Sequence, residues 1–307
     1  MRDARTAIPL RPEGRSISRE SLMNSQPRNW NRWGADDQRG TLNYITAEKR
    51  LQASKLIRTG RVYSLAIPLR ADAPIWPTRH KNWHIATHRN TAGPGPGGAE
   101  DVLMMHTHGS THIDALCHVF RDGRMYNGYS TAETITSRGA ERNSISNVDV
   151  IATRGVLLDL PKYHNLAHLP AAHEITPQEV EAVAAAQGIT IGRGDAILFR
   201  TGFMQLWQRN AEEYDRAQLG VNHVVAQWVG DREIVLLGAD NSAVKIFPTV
   251  PYLPVHQEFI RDQGGYLLEL LYLDDLARDQ VYEFMLVVAP LRIDRGLGSP
   301  INPIALV

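Results

Sequence analysis

Residues 106–118 read HTHGSTHIDALCH, a run that holds four of the chain's twelve histidines and one aspartate: His106, His108, His112, Asp114 and His118. All of these occupy even positions. Alternate residues of an extended segment face the same side, so one stretch of backbone aims several imidazoles and a carboxylate at one point. On a helix, at about 100° per residue, His108 and His112 lie together while Asp114 and His118 fall on the far side. Gly109 and Ser110 are poor helix formers, and the His108/His112 pair lacks the glutamate of an HExxH helix. The run therefore reads as extended or turning backbone. Borderline divalent ions such as zinc take imidazole nitrogen with carboxylate oxygen, and an incomplete protein shell leaves a position for water, so the run reads as a catalytic metal site. The competing reading is a polar strand face whose histidines only bond one another. His106 is the outlying member, either a group that orients a ligand or a surface residue.

A chain of 307 residues buries a substantial core, as one large domain or two small ones. Thirty-three basic side chains balance thirty-three acidic ones, which removes the broad positive field of non-specific nucleic-acid binding and leaves a small-molecule substrate as the expectation. Cys117 is the only cysteine, so an internal disulfide and a cysteine-ligated structural zinc are both excluded. That fits a reducing cytoplasm. No apolar run approaches the roughly 18 residues of a membrane helix. The most apolar stretches, around 234–238 and 284–289, suit buried strands. Residues 1–29 have no apolar block of signal-peptide length, and Asp3, Glu13 and Glu20 among the arginines argue against a transit peptide. They are expected to form a flexible arm ahead of a single domain over 30–307.

Along that domain, WNRWGADDQRGTLNY at 30–44 is rich in turn formers and precedes a helix from Thr46 to about Leu56. Residues 61–69 read as a strand. APIWP sets Trp76 beside prolines that hold the backbone extended. GPGPGG at 93–98 formally satisfies GxGxxG, but its prolines and the absence of a following helical pattern make it a loop. Residues 102–105 then form a short strand leading into the histidine run, and 150–160 one or two buried strands. The next helix has Thr176 as N-cap, Pro177 at N1, Glu179 completing a capping box and Gly188 at its end. GDAILFRTG at 194–202, a helix at 222–230, the strand EIVLLGAD, a helix at 255–263 and the strand YLLELL follow in alternation. The last strand spans 284–290 and precedes a turn-rich tail, GLGSPINP. Strands alternating with helices indicate an α/β domain.

Further ligands must come from elsewhere in the fold. His256 lies near the start of a short helix, and Glu269 sits in the apolar YLLELLYL, where a buried carboxylate is costly without a cation. A surface helix position competes for His256, and a salt bridge or an outward strand face for Glu269. Trp30, Trp33, Trp76, Trp83, Tyr126 and Tyr129 are available for an aromatic pocket, and Trp76, Trp33 and Tyr126 are the candidate substrate-binding residues. They serve equally as core or dimer contacts.

His108, Thr111, His112, Asp114 and His118 resemble the HxGTHxDxPxH signature of the cyclase-like metal-dependent hydrolases, which include bacterial kynurenine formamidase and isatin hydrolase. WGADDQRGTLN, GDAILFRTG, LGADNSAV, the His256 and Glu269 element and APLRI with GSPINPIA extend the resemblance, to the longer bacterial branch, over most of 30–307. The resemblance implies a single domain of mixed β-sheet packed with helices, the swivelling β/β/α fold of kynurenine formamidase. It implies His108, His112, Asp114, His256 and Glu269 as ligands of one or two divalent ions, zinc or manganese, with His118 as the acid/base. It also implies a homodimer in which the N-terminal region, with Trp30 and Trp33, reaches the partner's site. Ser110 replaces the motif glycine and Leu116 its proline, departures that bear on specificity more than on ligation. Lys245 stands where the long branch carries an acidic residue.

The function expected is hydrolysis of a cyclic or aryl amide or lactone by metal-activated water, with His118 moving a proton. Cyclisation or dehydration of a polyketide-like chain and non-catalytic metal binding are the alternatives. A cysteine or serine hydrolase is disfavoured, because Cys117 and His118 are neighbours pointing to opposite faces of an extended segment and no GxSxG elbow occurs.

Overall fold

The computed structural model describes residues 27–76, 78–89, 92–171, 173–216, 219–242, 244 and 253–307. A nine-stranded sheet runs in the order Val62–Ser64, Ile304–Leu306, Glu283–Val288, Ile151–Asp159, Ala196–Arg200, Leu236–Ala239, Tyr266–Glu269, His112–Asp114 and Gly298–Pro300. Its centre is parallel: Ile151–Asp159, Ala196–Arg200, Leu236–Ala239 and Tyr266–Glu269 pair successively in one direction. Parallel neighbours need crossovers, which the helices Pro177–Ala186 and His223–Asp231 and the segment 254–262 supply. Strands covered on both faces read as near-continuous apolar runs, and Ile197, Leu198, Leu236, Leu237, Leu267 and Leu268 are fully buried. The α/β expectation and the mixed sheet packed with helices are what the chain forms.

Helix starts follow local chemistry. Thr46 caps Ala47–Ser54 by accepting from the Lys49 N–H, and Thr176 caps Pro177–Ala186 by accepting from the Glu179 N–H. Only half of the expected capping box forms, since the Glu179 carboxylate is taken up by His164 and His173 instead. The helix expected at 255–263 is a short α-turn, Pro254–His256, that continues as a π-helix over Gln257–Asp262. Such wide turns concentrate at functional sites.

The chain differs from expectation where pairing is distant in sequence. The 61–69 strand shortens to Val62–Ser64, and the short strand before the histidine run lengthens to Gly98–Met104. Gly98–Met104 pairs with Trp83–Arg89 as a two-stranded ribbon outside the main sheet. The tail, read as turns, contributes two strands: Gly298–Pro300 at one edge of the sheet and Ile304–Leu306 next to the other. Proline is tolerated in an edge strand, which has a row of N–H groups without ladder partners. Residues 1–26 of the expected arm, and Lys245, lie outside the described residues. Asn29 is already part of the body, buried and donating to the Gln263 carbonyl at 2.8 Å. No helix among the described residues is long and apolar enough to cross a membrane.

Candidate metal centre

The strand His112–Asp114 lies between Tyr266–Glu269 and Gly298–Pro300, both antiparallel to it. Glu269 is in register with His112, and Gly298 with Asp114. Opposed residues share a face, as do residues two apart, so His112, Asp114 and Glu269 project to one side. Alternation brings together only these, because the extended segment is three residues long. His108 and His118 arrive through turns on either side, closed by Gly109 N–H to His106 O at 2.9 Å and His118 N–H to Ala115 O at 2.9 Å. Gly109 is needed in the first turn: a Cβ there would lie 2.9 Å from the His106 carbonyl oxygen and 3.0 Å from Asn82 Oδ1. His106 itself is exposed and stacks on His80, outside the cluster.

His256 comes from the last residue of the α-turn that precedes the π-helix. Glu269 is followed by Leu270 at φ 57°, a left-handed conformation unusual for leucine. Its neighbours hold it there: the Leu270 N–H donates to Asn241 O at 3.0 Å, and the Leu270 carbonyl accepts from Thr111 Oγ1 at 2.5 Å.

These elements converge. His108 Nε2 is 3.3 Å and His112 Nε2 3.6 Å from Asp114 Oδ1, and His256 Nε2 is 3.6 Å from Asp114 Oδ2. Glu269 lies 3.4 Å from His112 Nε2 through Oε2 and 3.2 Å from His256 Nε2 through Oε1. His118 Nε2 stands farthest, 3.9 Å from Asp114 Oδ1, with its ring stacked on His108 at 4.3 Å. Donors about 2.0–2.1 Å from a tetrahedral ion are roughly 3.3 Å apart, which is the spacing found here. His108 Nε2, His112 Nε2 and both Asp114 carboxylate oxygens are buried with no hydrogen-bond partner. Buried polar atoms are normally paired, so a cluster of orphans aimed at one point fits a cation. The Ser110 carbonyl fixes the His112 tautomer, since His112 Nδ1 donates to it at 2.7 Å, and His108 Nδ1 is oriented by Thr107 Oγ1 at 3.0 Å. Asp114 lies between the two halves of this set, with His108 and His112 on Oδ1 and His256, itself beside Glu269, on Oδ2, while His118 stands next to it. The residues therefore fit one or two divalent ions.

Burial dominates the electrostatics. It raises the Asp114 carboxyl to about 6, with the Glu269 charge adding to it. Burial opposes ionisation of Glu269 too, but the close imidazoles of His112 and His256 outweigh it and hold that carboxyl well below its usual range. Burial, reinforced by His118 and His112, pushes His108 well down, and burial takes His118 to about 4, so both are neutral imidazoles at physiological pH. Burial works against protonation of His112 as well, yet the nearby Glu269 carboxylate raises it. Neutral imidazoles beside anionic oxygen are the donor forms a borderline cation takes.

A cavity of about 270 Å³ opens onto the cluster, lined by His112, His118, His256 and Glu269 together with Trp76, Arg79 and Ser242. Trp76, one of the candidate substrate-binding residues, thus lines this cavity. Trp33 and Tyr126 do not. Trp33 packs edge-on against Tyr44 at 5.0 Å, and Tyr126 is fully buried with its hydroxyl donating to Asp37 at 2.9 Å, so neither lines this cavity. Trp30 is also docked on its own chain, donating to the Arg261 carbonyl at 2.8 Å. Aromatic residue type carries no sign of whether a ring faces a core or a cavity.

Two site residues escaped the sequence reading. Arg79 donates from Nη1 to the His108 carbonyl at 2.7 Å, holding the turn that presents the imidazole while facing the cavity. Gly298 gives the His108 ring its place, since a Cβ there would lie 2.5 Å from His108 Nε2. Neither has a local signal, although the tail glycines were visible as turn formers.

Known proteins share this arrangement of chain. A solved structure described as a novel cyclase is 35% identical, covers 91% of this chain and 97% of its own, and superposes with a TM-score of 0.84. An isatin hydrolase bound to the product analogue thioisatinate is 22% identical over 86% of this chain and 99% of its own, with a TM-score of 0.61, a likeness of fold. Cyclase-like protein 3 of Oryza sativa subsp. japonica is 27% identical over 255 residues, 80% of each chain. The model of the family described as "Putative cyclase" matches residues 63–245, more than half of the sequence, and the chain belongs to that cyclase family.

Proposed function

We propose that the protein is a metal-dependent hydrolase that attacks a cyclic or aryl amide or lactone with activated water. The observation that carries this reading is the set of buried, unpartnered His108, His112 and Asp114 atoms, clustered with Glu269 and His256 beneath a cavity that His112, His256, Glu269 and His118 line. Those five residues would hold one or two ions, zinc or manganese. A bound divalent ion lowers the pKa of water from about 15.7 to near 7 and polarises a carbonyl.

The chain's own groups do the rest. His118 is the least buried of the cluster imidazoles and lines the cavity, so it takes a proton at Nε2 and delivers it to the departing nitrogen or oxygen. Its low pKa keeps it a neutral acceptor at physiological pH. Arg79 presents a cation to the cavity and orients a carbonyl or carboxylate of the substrate. Trp76 supplies an apolar wall. An engineered cavity of roughly 150 Å³ admits benzene, so about 270 Å³ suits a fused or substituted aryl ring.

Isatin hydrolase activity in a protein of the same fold supports this substrate class, and the family's name supports cyclisation or dehydration as the second reading. The deciding experiment is metal analysis of purified protein, then a screen of N-formyl anilines, isatins and aryl lactones with zinc or manganese restored, in ¹⁸O-labelled water. Hydrolysis places one solvent oxygen in the product; cyclisation or dehydration places none. Bound metal without turnover on any of these would make the protein a metal binder rather than an enzyme.

A homodimer in a reducing compartment completes the proposal. The Trp83–Arg89 and Gly98–Met104 ribbon leaves Trp83, Ile85, Val102, Leu103 and Met104 exposed, and a lone two-stranded ribbon is marginal without a partner surface. Light scattering after size exclusion tests it: a monomeric mass at micromolar concentration refutes the dimer.

A further inference from the structure

We infer that His164, His173 and Glu179 form a second site for a borderline divalent cation such as zinc, separate from the catalytic cluster. His164 ends the Leu160–His164 helix that follows the central strand Ile151–Asp159, and Glu179 lies in the first turn of Pro177–Ala186. His173 sits between them, its backbone fixed on both sides by its N–H to Pro170 O at 3.1 Å and by Gly220 N–H to its own carbonyl at 3.2 Å. His164 Nε2 is 2.5 Å from Glu179 Oε1, and His173 Nε2 is 3.0 Å from Oε1 and 3.1 Å from Oε2. The three ligand atoms lie within 4.8 Å of one another, and the trio shares no residue with the clusters around Asp114.

Glu179 would ordinarily turn back to the N-cap Thr176 in a capping box. Its carboxylate is drawn instead to two imidazoles through the same type of ring nitrogen. With neutral rings this trio carries one negative charge, and two imidazoles with one carboxylate are a donor set for zinc, copper, nickel or cobalt rather than calcium or magnesium. The contacts are shorter than the roughly 3.3 Å between donors on a tetrahedral ion, so the rings move outward by under about 1 Å on loading. His164 and His173, about one-third and one-quarter exposed, have room to do so and leave a coordination position facing solvent. An ion here ties the connection between the 160–164 helix and the 177–186 helix to the crossover covering the sheet. It acts on stability and leaves turnover alone.

The test is zinc stoichiometry on full-length protein stripped with chelator and titrated with zinc chloride alone. Wild type should bind one more zinc per chain than His173→Ala or Glu179→Gln, and zinc should shift the His164 and His173 ring signals in NMR spectra. Turnover of the variants should stay within twofold of wild type. His164→Ala, on the last turn of a short helix, serves as the third variant, with circular dichroism to confirm its fold. Equal zinc counts in wild type and any folded variant, or ring signals unmoved by zinc, would overturn the site. Either result leaves the catalytic reading untouched, because that rests on other residues.

Discussion

Gly298→Ala should unseat His108 without replacing any ligand. Gly298 lies outside the left-handed region, so its backbone accepts alanine and the effect is a collision alone. The added Cβ would stand 2.5 Å from His108 Nε2, 2.8 Å from Cε1 and 2.9 Å from the Ile113 carbonyl oxygen. Normal contact for such atoms is about 3.5 Å or more, so the ring must retreat by roughly 1 Å. The ring moves rather than the strand, because Gly298 is held in the sheet by its pairing with Asp114. Metal–nitrogen distances tolerate only about ±0.2 Å, so His108 ceases to be a ligand. The expected loss of zinc affinity is at least 10–100-fold, about 1.4–2.7 kcal/mol, with a further cost of about 1–3 kcal/mol in fold stability from overpacking. Competition with a chromophoric chelator measures the affinity, and thermal melts of stripped protein measure the stability. Gly98→Ala is the control, since a Cβ there meets open space. Wild-type zinc affinity in Gly298→Ala would refute the assignment of His108 as a ligand held in place by that glycine.

Four further outcomes are expected. His112→Ala loses metal and activity together, whereas His118→Ala keeps metal and loses turnover by about 10²-fold or more, as metal analysis beside kinetics will read. Arg79→Lys keeps one charge but loses the planar donor set that holds the His108 carbonyl, so kcat/KM should fall at least tenfold with metal retained. Cys117 is fully buried and its thiol is pushed up to about 12 by burial, so iodoacetamide at neutral pH should label it only after unfolding and leave native activity intact. Glu179 is an acid whose pKa is lowered in the fold: burial opposes the shift, and the hydrogen bonds from His173 and His164 overcome it. The stability it contributes is therefore complete above about pH 4.5 and is lost as pH falls through its lower folded value. In metal-free protein the gap in urea midpoint between wild type and Glu179→Gln should be constant above about pH 4.5 and shrink as pH falls below it.

What was legible in the sequence is what residue identity and local spacing carry. His112 and Asp114 are two apart on a strand, and that local fact predicts their shared face. Thr176, Pro177 and Gly188 likewise mark a helix through groups within reach of one another. The expectations that failed needed partners far along the chain. Nothing near Gly298 says that it pairs with Asp114, and GLGSPINP taken alone has the composition of a turn. The left-handed Leu270 has no residue signature, because it is imposed by Asn241 and Thr111. Tyr126 lies away from the cavity for a related reason: it is buried by a bond to Asp37, which itself accepts from the Gly40 N–H at 2.9 Å and Asn43 at 2.8 Å.

The stretches outside the histidine run that carried the family resemblance turn out to be supports. In LGADNSAV, Asp240 accepts from the Thr201 N–H and hydroxyl at 2.8 and 2.6 Å and from the Gly202 N–H at 2.8 Å, joining it to the end of GDAILFRTG. The next residue, Asn241, donates to Leu219 O at 2.6 Å and takes the Leu270 N–H on its carbonyl. Leu270 then receives Thr111, which also accepts from the Ile67 N–H at 3.0 Å. A continuous set of hydrogen bonds thus runs from the central parallel strands to the residues flanking His112 and Glu269. Ligand geometry must be held within about 0.5 Å, and side chains on short strands joined by turns do not hold it alone. The donor atoms of the candidate centre come from its imidazoles and carboxylates, whereas their placement depends on Asp240, Asn241 and Thr111, which are not among them.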